Sequence, residues 1–111
     1  MDIKTSIQSN SEEFIELCKS HDVAVLFAFG SSVNGNFDDS RSDIDLLVEI
    51  NTQDPVERGE ILMDLWQKFE EFFQRKVDLL TDKSIRNPFL RKSIEATKLL
   101  IYDGKRQEVS I

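Results

Sequence analysis

The stretch Ser42-Asp43-Ile44-Asp45-Leu46-Leu47-Val48-Glu49-Ile50 decides how this chain is read. Its apolar residues predict a strand over 44–50, apolar on both faces through Leu46, Leu47 and Val48. Asp43 and Asp45 stand at its head with i, i+2 spacing. Both carboxylates then point to one face while Ile44 turns into the core. Two carboxylates that close repel each other unless a cation lies between them. Hard oxygen ligands of this kind suit Mg²⁺, which keeps waters and takes its remaining ligands from phosphates. With 11 Asp among 111 residues an Asp-x-Asp pair is a common accident, so its weight comes from its setting. This pair stands at the mouth of an apolar strand and not within a polar loop.

Two neighbours of similar character lie to either side. Upstream, Val23–Phe29 is an unbroken apolar run, rich in β-branched and aromatic residues and short for a helix, so it reads as a buried strand. Gly30 ends it, and a residue without a side chain lets the backbone approach a ligand closely. Ser31 and Ser32 follow, with hydroxyls and backbone N–H groups that suit a phosphate at a strand-to-helix turn; an ordinary turn followed by an N-cap serine has the same sequence. Residues 34–42 are nearly all turn formers and predict a surface loop. Downstream, Val77-Asp78-Leu79-Leu80 predicts a third, short strand with one isolated acid. Asp78 is costly to bury without a partner or a metal; the alternative is a strand-edge Asp facing water.

Helices fill the remainder. Asn10 and its serine neighbours offer caps to a helix over 11–20, with Glu12 and Glu13 in the first turn. His21 falls at its end, where a cation suits the dipole. Pro55 opens a long helix over about 56–74, with Leu62, Leu65, Trp66, Phe69 and Phe73 as the core stripe and Glu60, Asp64, Lys68 and Glu71 opposite. Arg75 and Lys76 complement its dipole. Asn87-Pro88 opens another helix that carries Leu90 and Ile94 inward. A last strand is expected over 98–102, and a polar tail from Gly104. Apolar strands in a mixed order of this kind need helices to cover them.

Composition narrows the function. The length predicts a single domain over 1–111. No apolar run approaches the roughly 20 residues of a membrane span. The first six residues lack a signal-peptide core. A lone cysteine, Cys18, forms no internal disulfide, so a reducing, cytoplasmic setting is expected. Fourteen basic against 21 acidic residues give a net charge of −7, which repels a nucleic-acid backbone. Such a protein handles phosphates when divalent metal neutralises its carboxylates. Between Lys83 and Lys98, Lys83, Arg86, Arg91, Lys92 and Lys98 outweigh the single acid Glu95, a local charge of +4. That segment is either a solvated helix face or cationic help for phosphates.

Taken together, Gly30-Ser31, the loop, Ser42–Val48, Val77–Leu80 and the closing segment from Asn87 to Tyr102 resemble the nucleotidyltransferase superfamily of the DNA polymerase β-like fold. The likeness spans about residues 22–103 and is strongest to the minimal nucleotidyltransferase branch, which includes antitoxins of the MntA type. The resemblance implies an α+β fold, a short mixed sheet flanked by helices with the active site on one edge. It implies that Gly30, Ser31 and Ser32 bind the triphosphate of a nucleotide. Asp43, Asp45 and Asp78 would then be the catalytic and metal-binding acids, holding two Mg²⁺ ions, and Asp78 would help deprotonate the acceptor hydroxyl. It further implies ATP as substrate and a helical HEPN-type toxin as partner, inactivated by transfer of AMP to a tyrosine.

The chain departs from the family's pattern twice. Its loop between Gly-Ser and Asp-x-Asp is one residue longer than usual, which a turn-rich loop absorbs. Asn34 stands where the family often has Arg; if that Arg grips phosphate, its absence either weakens nucleotide binding or hands the task to Arg41, Arg91 or Lys92. Two other readings are a contact antitoxin with a vestigial site and a transferase for a small hydroxylated molecule of the aminoglycoside type. The intact acids speak against the first. The lack of a second, substrate-binding domain speaks against the other.

Overall fold

Strands and helices of a computed structural model, which describes residues 3–30 and 43–111, follow the predicted order with additions at both ends. The elements are α1 (Ile3–Ser9), α2 (Ser11–Ser20), β1 (Val23–Phe29), β2 (Ile44–Ile50), α3 (Pro55–Phe73), β3 (Val77–Leu80), a 3-10 turn (Asp82–Ser84), α4 (Pro88–Thr97), β4 (Leu99–Asp103) and β5 (Glu108–Val109). They build an α+β fold around one mixed sheet of order β3-β2-β1-β4-β5. Only β2 and β3 run parallel; the other neighbours are antiparallel. Ser31, Ser32, Asn34 and Arg41 lie outside the described residues.

The two faces of the sheet are covered unequally, and this positions the site. Ile44, Leu46, Val48 and Ile50 of β2, with Val77 and Leu79 of β3, point into the main core against α1, α2 and α3. There Phe14 stacks on Phe69 with ring centroids 5.7 Å apart, and Leu65 and Phe73 extend the same stripe of α3. Among the described residues, the opposite face, reached by the alternate residues, is covered by α4 and the segment just before it. Phe29, Ile85 and Ile94 form a small second core there, with Leu47 and Leu80 against it. Asp45 and Asp78 have the parity of Leu47 and Leu80, so they belong to this thinly covered face.

Several expectations are corrected at the margins. Ile3 and Ile7, one turn apart and both buried, make a seven-residue α1 that was not expected. Leu90 does not turn inward but stays 38% exposed, leaving Ile94 as the buried residue of α4. The tail after Gly104 returns to pair β5 with β4. Gly104 is needed at that return, because a Cβ there would lie 2.5 Å from the Val23 carbonyl. His21 caps the end of α2 as expected, with Nδ1 2.8 Å from the Leu17 carbonyl and Nε2 2.6 Å from Asp64. Cys18 is fully buried, and burial pushes its thiol well above the usual range. Among the described residues, no helix is long and apolar enough to cross a membrane.

Candidate active site

The three acids arrive from two neighbouring strands. In the parallel pairing of β2 and β3, Asp45 is directly opposite Asp78, and opposed residues of paired strands project from the same face. Asp43, just before β2, is exposed, Asp45 is half-buried, and Asp78 is exposed on what is an edge strand. The water-facing alternative for Asp78 is therefore correct as to exposure, yet its carboxylate still faces Asp45. Burial, then the charges of Asp78 and Asp43, push the Asp45 carboxyl up to about 6. Crowded negative charge of this kind favours a divalent cation.

The chemistry of the donor set fits Mg²⁺: hard carboxylate oxygens on an open sheet face. The acids are not packed tightly, however. Among the described residues no three His, Cys, Asp or Glu side chains are grouped closely enough to chelate one ion. An ion here would take carboxylates from part of the triad and complete its shell with water and phosphate oxygens, the usual habit of Mg²⁺.

Gly30 closes the site from the β1 side. Phe29 pairs with Asp45 across the β1–β2 ladder, which places Gly30 just beyond the carboxylate. Gly30 has φ +63°, and a Cβ there would sit 3.0 Å from Asp45 Oδ2. Absence of a side chain is what leaves room beside the acid, in a left-handed conformation that L-residues avoid. Its N–H donates to Thr97 Oγ1 at 3.1 Å.

Two contacts hold Asp78 in place, and neither is legible in the sequence. Trp66, expected in the core stripe, is 39% exposed, and its indole N–H donates to the Val77 carbonyl at 2.7 Å. Glu70 Oε2 accepts from the Val77 N–H at 3.1 Å. Both backbone groups that Val77 turns to the open edge are thus satisfied from α3, which fixes the edge strand and blocks pairing with another chain.

The basic segment does not serve the site as a block. Arg91 NH1 pairs with Asp82 at 2.9 Å, and its NH2 donates to the carbonyls of Asp82 and Ile85 at 3.0 and 3.2 Å. It bolts the 3-10 turn to α4 and does not stand in for the missing Arg. Lys98 pairs with Glu95 at 3.1 Å and lies 4.8 Å from the centroid of the Phe27 ring. Because Thr97 at the carbonyl end of α4 meets Gly30, Arg91 and Lys92 lie toward its other end, about 7–9 Å away along the axis. Lys92 is exposed there.

A recess of about 250 Å³ opens on the sheet face that carries Asp45, floored by Val25, Phe27 and Leu47 and walled by Glu49, Asp82 and Lys98. A wider groove of about 410 Å³, lined by Glu13, Glu16, His21, Lys68 and Phe72, lies on the helical side of the sheet, away from the acids.

Comparison with known proteins follows the same lines. Residues 11–101 match the family model of the nucleotidyltransferase domain. One candidate protein adenylyltransferase of Methanocaldococcus jannaschii is 42% identical over 67 residues, 60% of this chain, and the chain spans 65% of that relative's length. Another from the same organism is 32% identical over 100 residues, covering 90% of this chain and 95% of its own. Among solved structures, a candidate minimal nucleotidyltransferase superposes with a TM-score of 0.61 at 24% identity, covering 89% of this chain and 95% of that one. A toxin–antitoxin complex with AMP-PNP gives 0.58 at 24% identity, over 87% and 76% of the two chains. A complex of a tri-AMPylated Shewanella oneidensis HEPN toxin with an MNT antitoxin gives 0.50 at 22% identity, over 89% and 74%. These structures share the fold. With a family match over most of its length and a full-length relative at 32% identity, this chain belongs to the nucleotidyltransferase domain family.

Proposed function

We propose that this protein is a Mg²⁺-dependent nucleotidyltransferase that moves AMP from ATP to a tyrosine hydroxyl of a partner toxin of the HEPN type, and so acts as an antitoxin. The observation that carries the reading is the Asp45–Asp78 pair across β2 and β3, with side-chain-free Gly30 against the Asp45 carboxylate. The M. jannaschii relatives bear a protein-adenylyltransferase description, and two of the similar structures are toxin–antitoxin complexes, one with AMP-PNP and one with a tri-AMPylated HEPN toxin. These support the choice of nucleotide and partner. The catalytic unit is the one domain over 1–111, working in a reducing cytoplasm where the buried Cys18 stays a thiol.

Asp43, Asp45 and Asp78 would share the Mg²⁺ between them, each ion taking carboxylates from only part of the triad. Bound there, Mg²⁺ supplies charge neutralisation at the α-phosphoryl group and at the departing pyrophosphate. Gly30 gives the nucleotide's phosphates close access beside Asp45, with Ser31 and Ser32 as the next donors along the chain. Asp78, exposed on the edge strand, is open to an incoming hydroxyl, and its carboxylate takes the hydroxyl proton. The acceptor oxygen then forms a bond to the α-phosphorus as the bond to pyrophosphate breaks.

The test is incubation with Mg²⁺, α-labelled ATP and a HEPN-type protein encoded beside this chain, the two being co-expressed and purified together. Label should pass to the partner with wild type and not with Asp43→Asn or Asp45→Asn. Failure of any Asp43-dependent transfer refutes the enzymatic reading. Neutralisation that persists in both variants would make the protein a contact antitoxin instead.

A further inference from the structure

Gly30 is tied to a residue that lies on none of the acid-bearing strands. Its N–H donates to Thr97 Oγ1 at 3.1 Å, 67 positions along the chain. Thr97 ends α4, and its hydroxyl donates to the Ser93 carbonyl one turn back at 2.8 Å. With the hydroxyl hydrogen committed to the helix, the oxygen's lone pairs face outward, and the Gly30 N–H takes one of them. That N–H is therefore already used, and Gly30 meets a ligand through its bare Cα.

This hydrogen bond does something the packing does not. Ile94 against Phe29 already anchors α4 to the end of β1, but apolar contact is non-directional and leaves the Gly30 peptide free to rotate. A donor–acceptor pair is directional. It holds the left-handed turn at φ +63° where β1 hands over to the residues that follow. That turn sets the clearance between Gly30 Cα and the Asp45 carboxylate.

We propose that Thr97 is a positioning residue for the nucleotide: through Gly30 it fixes the gap beside Asp45 in which a nucleoside triphosphate seats. The inference rests on the nucleotidyltransferase reading and adds a residue to it. It is tested by measuring Mg·ATP binding, and KM for ATP in the transfer assay, for wild type, Thr97→Val and Thr97→Ser, with Gly30 amide exchange followed by NMR. Val keeps the shape without the acceptor; Ser keeps the acceptor.

Thr97→Val should bind Mg·ATP about three- to tenfold more weakly, the worth of one hydrogen bond, with kcat at saturating ATP within about twofold of wild type on the same scale. Thr97→Ser should match wild type, and the Gly30 amide should be protected in wild type and exchange faster in Thr97→Val. Unchanged binding in Thr97→Val, or a Ser variant as weak as Val, overturns the positioning role alone. An unprotected Gly30 amide in wild type also overturns it, and that measurement stands even if the Val variant fails to fold. If wild type does not bind Mg·ATP, the nucleotidyltransferase reading falls and this role falls with it.

Discussion

Consider Asp45→Asn at pH 7.5 in the absence of divalent metal. Burial and two neighbouring carboxylates raise the Asp45 carboxyl from 3.8 to about 6. A difference of about 2 in pKa corresponds to about 3 kcal/mol between the two protonation states. The group is only half-buried, and screening by water reduces this to roughly 1–2 kcal/mol. The folded state binds this proton more tightly than the unfolded chain does. The penalty is therefore absent below about pH 4, grows between pH 4 and 6, and is complete above about pH 6. Asn is nearly isosteric and carries no charge, so the variant should be about 1–2 kcal/mol more stable than wild type at pH 7.5. The two should converge as pH falls toward 4. Urea unfolding at several pH values reads this directly. Mg²⁺ should then narrow the gap by stabilising wild type alone, by about 2.7 kcal/mol at a hundred times its dissociation constant. Equal stability at pH 7.5, or a gap that persists unchanged to pH 4, would refute the claim that the acids are crowded together.

Further outcomes follow from the same geometry. Gly30→Ala forces a left-handed residue and places a Cβ 3.0 Å from Asp45 Oδ2; it should cost about 1–2 kcal/mol in urea unfolding and abolish Mg·ATP binding. Trp66→Phe removes the donor to the Val77 carbonyl. It should lower stability by about 1 kcal/mol, speed amide exchange at Val77 and reduce label transfer, since Asp78 rides on that strand. Phe69→Ala opens the fully buried stack on Phe14 and should cost about 3–5 kcal/mol, seen as a lower denaturation midpoint with no selective effect on nucleotide binding in the folded fraction.

Where sequence reading went astray, the cause was context beyond the local pattern. Leu90 has helical spacing to Ile94, but α4 covers only a strip of the sheet. One buried turn suffices, and Leu90 and Phe89 are left 38% and 81% exposed. Trp66 belongs to the apolar stripe of α3 by period, yet it lies at the stripe's border, where its N–H reaches the backbone of β3. Arg91 looked available for phosphate because nothing local shows that the turn after β3 folds back beneath it. The short α1 and the two-residue β5 carry too few periodic residues to announce themselves, and both exist by packing on elements already formed.

Local order was written plainly in the residues. The unbroken apolar run at 23–29 and the largely apolar 44–50 specified strands, the stripe from Leu65 to Phe73 specified a long helix, and the sequence set Asp43 and Asp45 two residues apart at the head of β2. These follow from side-chain periodicity, which needs only a few neighbouring residues to express itself. Tertiary structure alone decided that β3 lies parallel to β2 in the register that sets Asp78 opposite Asp45, and that the end of α4 reaches over to hold Gly30. Register and docking depend on contacts between residues tens of positions apart. One strand slipped by a single residue would send Asp78 to the other face with every local pattern intact.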